Sequence, residues 1–117
     1  MALISSSKDP QNRNLDRAIQ YYNQIIQIDP KDSQAHCNKA VIFADPLYQN
    51  RNLEESIINL DKAIEIEPKL AQAYYIKGLI YKDTTYQDYN STEAIKYFDK
   101  TLQYNPKFAQ AYIYKGI

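Results

Sequence analysis

The side chains best suited to chemistry in this sequence stand side by side, since His36 and Cys37 are its one histidine and its one cysteine. A thiol within hydrogen-bond reach of an imidazole makes a nucleophile and base pair, and both groups bind metals. Neighbouring positions on a helix point about 100° apart, so these two can neither pair with each other nor share an ion. No glycine-rich phosphate loop and no metal-spaced set of His and Cys accompanies them. The sequence therefore offers no catalytic residue, no metal site and no cofactor site, and it reads as a protein that is not an enzyme. Asn90-Ser91-Thr92 fits a glycosylation acceptor, but with no secretory signal the better reading of this asparagine is a helix cap. Lys39, Lys77 and Lys115 recur at a fixed interval. They form either an anion-binding row or, as expected here, alkyl stems that cover the stack with ammonium heads in water. Twelve tyrosines could stack on bases, yet fourteen acidic and fourteen basic residues cancel. Nucleic acid binding lacks the basic footprint it requires.

The elements that must carry these residues announce themselves by repetition. Pro68-Lys69-Leu70-Ala71-Gln72-Ala73-Tyr74-Tyr75-Ile76-Lys77-Gly78 returns as Pro106-Lys107-Phe108-Ala109-Gln110-Ala111-Tyr112-Ile113-Tyr114-Lys115-Gly116, and more loosely from Pro30 to Ala40. The three prolines are spaced by 38 residues. A fixed period in this range belongs to solenoids, in which each unit buries its apolar face by stacking on its neighbour. The expected units are approximately 1–32, 33–70 and 71–108, with a partial unit at 109–117. Ala2, Leu3 and Ile4 fall in register with Ala40, Val41 and Ile42, which predicts a partial helix there, frayed by Ser5, Ser6 and Ser7.

Apolar residues stepping by three and four from Leu15 to Ile26 predict an amphipathic helix that stops before Asp29-Pro30. Its copies precede Pro68 and Pro106, and these three are the B helices. Each is expected to start at an asparagine, Asn14, Asn52 or Asn90, with Glu55 and Glu93 completing a capping box in two of them. The A helices are predicted near 33–44, 71–83 and 109–117. Between A and B lie two connections that share Asp, Tyr, Gln and Asn at matching places, and Tyr48 and Tyr86 are expected to fold back over the helix ends.

Ala or Gly midway along A, an aromatic three residues later (Phe43, Tyr81), Ala or Ser early in B (Ala18, Ser56, Ala94), a large apolar residue four on (Tyr22, Leu60, Phe98) and proline closing B together resemble the tetratricopeptide repeat family. The resemblance implies an all-α, right-handed superhelical solenoid of antiparallel helix pairs, here of about three repeats with incomplete terminal units. The family period is about 34 residues. The extra residues must sit in the A to B connection, as one more turn of helix A or as a protruding loop.

The resemblance further implies a protein-protein interaction scaffold that binds a peptide or helix on a concave face lined by A helices. Carried over residue by residue, that groove comprises Gln34, Cys37, Asn38, Val41, Gln72, Tyr75, Leu79, Lys82, Gln110 and Ile113, with Ala44, Ile76 and Tyr114 beside them. Its apolar stripe is a partner site or, if the superhelix is tight, further core. The clamp by which some members grip a terminal carboxylate finds only Asn38 and Lys82 here and is not expected. The alternative is a structural module that stacks head to tail through its C-terminal partial repeat, where Tyr112, Ile113 and Tyr114 have no following B helix. A lone cysteine, no signal-like segment and no run of about 18 apolar residues predict no membrane partner and a reducing, cytoplasmic setting, with ciliary or cytoskeletal assembly as a variant.

Overall fold

A computed structural model of the chain describes residues 10–115, which form six helices: α1 (Pro10–Ile28), α2 (Ser33–Ala44), α3 (Leu53–Ile66), α4 (Ala71–Tyr81), α5 (Ser91–Tyr104) and α6 (Ala109–Lys115). The helix pairs α2/α3 and α4/α5 pack most closely, α1 lies on α2, α3 on α4 and α5 on α6, and α2 also touches α4. The molecule is an all-α helical repeat. The partial helix expected near Ala2 and the end at Ile117 lie outside the described residues.

Local chemistry sets the boundaries. Asn52 and Asn90 are extended N-cap residues whose side-chain oxygens accept the Glu55 and Glu93 N–H groups at 3.0 Å each. Each cap contributes about 1 kcal/mol. Asn14, expected as the third cap, is instead inside α1, which begins four residues earlier at Pro10. Proline suits a first turn, where its missing N–H would have no partner, so the helix extends back past the asparagine. Here Asn12 takes a structural part, accepting the Gln49 N–H at 2.6 Å.

B helices end where Glu67 and Asn105 close their last backbone bonds to Ala63 and Thr101, just before Pro68 and Pro106. The carbonyl of each proline is then captured six residues on. Tyr74 donates its hydroxyl to Pro68 O at 2.7 Å, Tyr112 to Pro106 O at 3.1 Å, and His36 places Nε2 at 3.3 Å from Pro30 O. The histidine therefore does what the tyrosines at its register do: it ties the start of an A helix to the preceding turn.

Two apolar clusters form the core. The first unites Cys37, Ala40, Leu60, Ala63, Ala73, Ile76, Ile80 and Tyr86, and the second Ala94, Phe98 and Ala111. Small residues on A meet large ones on B, which is how the helices come close enough to exclude water. Ser56 joins the pairing without leaving a polar atom unsatisfied, because its hydroxyl donates to Ala40 O at 2.7 Å.

The lysine row departs from its expected solvated state. Lys77 Nζ lies 2.7 Å from Asp61 Oδ1, with the lysine side chain only 11% exposed, and Lys115 makes the same pair with Asp99 at 2.7 Å. Both acids lie sixteen residues before their lysines, on the partner B helix. At Lys39 the corresponding position is Asn23, and no such pair forms among the described residues. Burial alone would lower the Lys77 pKa, but hydrogen bonds with Asp61 and Tyr97 outweigh it and raise the value.

The extra residues of the long period form a loop and not a helical turn. In each connection two successive turns are closed by backbone bonds, Tyr48 to Asp45 and Arg51 to Tyr48 in the first, Tyr86 to Asp83 and Tyr89 to Tyr86 in the second. Asn52 N then returns to Phe43 O at 2.9 Å and Asn90 N to Tyr81 O at 2.8 Å. Tyr48 and Tyr86 are buried beneath these turns, edge-on to Phe43 and Tyr81 respectively. Tyr48 also donates its hydroxyl to Asp16 on α1. The phenol of Tyr86 is pushed up to about 12 by burial, then by Tyr81 and Glu54 nearby.

Candidate functional site

Between the C-terminal halves of α2 and α4 the surface opens into a groove of about 340 Å³. Val41 and Ala44 come from α2, Ile76, Leu79 and Ile80 from α4, and Leu53 from the first turn of α3. Asp45, Pro46, Arg51 and Asp83 from the two loops form its rim. The floor is buried at Ile76 and Ile80, whereas Val41 is 42% exposed. One unit supplies Val41 and Asp45, and the next supplies Leu79 and Asp83 at the same register. Stacking therefore creates the groove, since neither unit contains it alone.

Of the ten groove residues expected from sequence, Val41 and Leu79 line this space. Cys37 is a correction: it is 0% exposed at the centre of the first cluster, and burial with the nearby Glu67 charge pushes its thiol up to about 11. Gln34 donates to Asn38 at 3.1 Å and to Gln72 at 3.2 Å, so these three amides form a polar tie between α2 and α4 away from the groove.

Tyr75 is also turned elsewhere. Its ring centroid lies 4.7 Å from Phe108, 5.9 Å from Phe98 and 6.2 Å from Tyr114, which makes it part of the aromatic packing between α4, α5 and α6. Lys82 directs its ammonium over Tyr114 at 4.9 Å. Gln110 and Ile113 are exposed on α6, Ile113 to 70%. Tyr114 occupies the register of Ile76 and stacks on Phe98 while remaining 41% exposed, and the register of Leu79 falls on Ile117, outside the described residues.

Ala44 and Ile76, expected beside the groove, line it together with Asp45, Pro46, Arg51, Leu53, Ile80 and Asp83, which the carried-over pattern does not include. The signal was present in the matching Asp45 and Asp83 of the two connections, which carried a turn reading. The loop aspartates do both jobs. Each accepts the N–H two residues on, Leu47 at 2.9 Å and Thr85 at 2.8 Å, and each stands at the rim.

The rim is asymmetric in charge. Asp83 accepts Thr85 Oγ1 at 2.6 Å and Arg51 Nη2 at 2.6 Å. The Thr85 hydroxyl first, then the Thr85 backbone N–H and Arg51, hold the Asp83 carboxyl down at about 2 against an ordinary 3.8. A carboxylate with a depressed folded-state pKa adds stability above its unfolded value and loses it as the pH falls through the folded one. The denaturation midpoint should therefore fall between pH 3.8 and about 2, and Asp83→Asn should flatten that part of the profile. Denaturant titrations at a series of pH values check this. A variant that keeps the full wild-type acid slope would contradict it.

With stacked helix hairpins and an inter-repeat groove in place, the architecture is that of an α-helical repeat protein whose units are joined face to face. Residues 11–32 match the family model described as tetratricopeptide repeat, and the described residues as a whole form an all-α helical repeat. Repeats of this family generally mediate protein-protein interaction. Among solved structures, one described as "Crystal structure of MamA" is similar, with 20% identity, 99% of this chain and 83% of that chain covered, and a TM-score of 0.48. No curated protein matches the chain.

Proposed function

We propose that the chain is an interaction scaffold that holds a segment of a partner protein against its A helices, with the groove between α2 and α4 as the anchor point. The observation that carries this reading is the open apolar surface of Val41 and Leu79 over Ile76 and Ile80, beside helix pairs whose own contacts are closed. An aliphatic side chain of a partner would bury area that this surface leaves in water, which is the driving force of groove recognition. Among the described residues no cluster of three or more His, Cys, Asp or Glu could hold a metal, and no helix is long and apolar enough to cross a membrane.

Peptides selected from a random display library on the wild-type protein test the reading. Val41→Glu, which puts a charge on an already open position, should weaken the selected peptides at least about tenfold, or 1.4 kcal/mol, while leaving the thermal midpoint in place. Unchanged affinity in the folded variant would remove the groove from consideration. A second reading, self-assembly, draws on a different surface. Tyr112, Ile113 and Tyr114 stand exposed together on α6. Sedimentation velocity across a concentration series decides it: a strictly monomeric species at the highest concentration excludes it.

A further inference from the structure

The charges at the groove mouth specify more than an apolar partner. Arg51 is engaged twice, by Nη2 to Asp83 Oδ2 at 2.6 Å and by Nε to Ala44 O at 3.3 Å. The equivalent carboxylate one unit earlier, Asp45, uses Oδ1 for the Leu47 N–H at 2.9 Å and has no cation in ion-pair contact among the described residues. Arg13 holds the register of Arg51 but does not pair with Asp45. Lys82, next to Asp83, is turned to the Tyr114 ring. The rim of the groove thus carries Asp45, Asp83 and Arg51, a net single negative charge with Asp45 uncompensated.

Resting on the groove reading above, we propose that the occupant is a protein segment in which an aliphatic side chain is followed closely by lysine or arginine. The aliphatic group lies on Val41, Leu79 and Ile76, and the cation meets Asp45. Apolar surface beside the carboxylate excludes water from one side of that pair, so it is screened less than an ion pair in open solvent. A segment with glutamate at the same place meets the uncompensated Asp45 and is repelled, since Asp83 is already paired with Arg51. The preference is therefore for basic over acidic partners, set by one residue.

Three fluorescent host peptides test this, alike except for Lys, Gln or Glu after a single leucine. Anisotropy titrations are made with the wild type, Asp45→Asn and Val41→Glu at low and at physiological ionic strength. Asparagine keeps the oxygen that accepts the Leu47 N–H. The expected result is Lys binding about fivefold more tightly than Gln at low salt, with Glu weakest, the margin shrinking with salt and vanishing in Asp45→Asn. Equal binding of the three peptides, with loss in Val41→Glu, would overturn the charge preference and leave the groove reading standing. A lysine preference that survives in Asp45→Asn would overturn the assignment to that residue. Absence of binding by all three, or indifference to Val41→Glu, would overturn both readings. Self-association of the wild type that Val41→Glu abolishes would mean that a second copy is the occupant, and would also overturn the proposal.

Discussion

Replacing Phe98 by alanine should lower the unfolding free energy by about 3–5 kcal/mol. The ring is 1% exposed, lies among Ala94 and Ala111, stacks on Tyr114 at 5.7 Å and meets Tyr75 at 5.9 Å. It is the large residue of the second cluster, set between Ala94 and Ala111 with Tyr75, Leu79, Tyr81, Leu102 and Phe108 packed against them, and the two alanines are too short to fill the space it would leave. The loss should appear as a lower urea midpoint with the slope little changed, because the same surface is exposed on unfolding. Because units of a solenoid contribute separately and through their interfaces, the transition should also split, with the α4 to α6 region melting first. Tyrosine near-ultraviolet dichroism followed beside the far-ultraviolet signal would reveal the split. A loss below about 1 kcal/mol would mean that the site collapses freely, contrary to the packing described here.

Gly78→Ala should destabilise the protein by about 1–2 kcal/mol, although alanine is the better helix former by about 0.5–1 kcal/mol. Two effects compete, and distance decides between them. A Cβ at Gly78 would stand 2.5 Å from Cε1, 2.8 Å from Cδ1 and 2.9 Å from Cζ of Phe98, too close for any of the three. The ring is held on its other faces by Tyr75 and Tyr114 and cannot retreat without disturbing them. One unit earlier the same two register positions hold Ala40 and Leu60, both fully buried. The smaller B residue is matched by the larger A residue. Phe98→Leu should therefore relieve Gly78→Ala, so that in the leucine background the added methyl is neutral or stabilising. A double-mutant cycle measures the coupling, expected to exceed about 1 kcal/mol. Stabilisation by Gly78→Ala with Phe98 in place would refute the account.

This pair shows how the sequence is and is not legible. Small residues on A and large ones on B were visible from the repeat. That Gly78 answers Phe98 as Ala40 answers Leu60 requires knowing which of them meet. The capping asparagines divide in the same way. Asn52 and Asn90 act as local chemistry predicts, while Asn14 lies inside a helix because Pro10 offers an earlier start. Register identity also misled at one row. Cys37, Tyr75 and Ile113 are equivalent by spacing, yet the first is fully buried, the second packs among aromatics and the third is 70% exposed. Burial at that row depends on what the next unit lays over it, which no single unit encodes.

What the sequence alone determined is the helical repeat itself: period, proline stops, the two working caps and the residues that let helices approach. These follow from interactions within a few residues, or from a pattern whose copies report one another. Tertiary structure decided the site. The groove joins Val41 and Asp45 to Leu79 and Asp83 across a stacking junction, and its charge depends on Arg51 reaching from one loop to the next. Equal register does not mean equal surroundings: Ile76 is buried in the floor of the groove, whereas Tyr114 at the same register stacks on Phe98 and is 41% exposed. The periodicity of the chain makes the units alike, and the side-chain volumes at their junctions make them different.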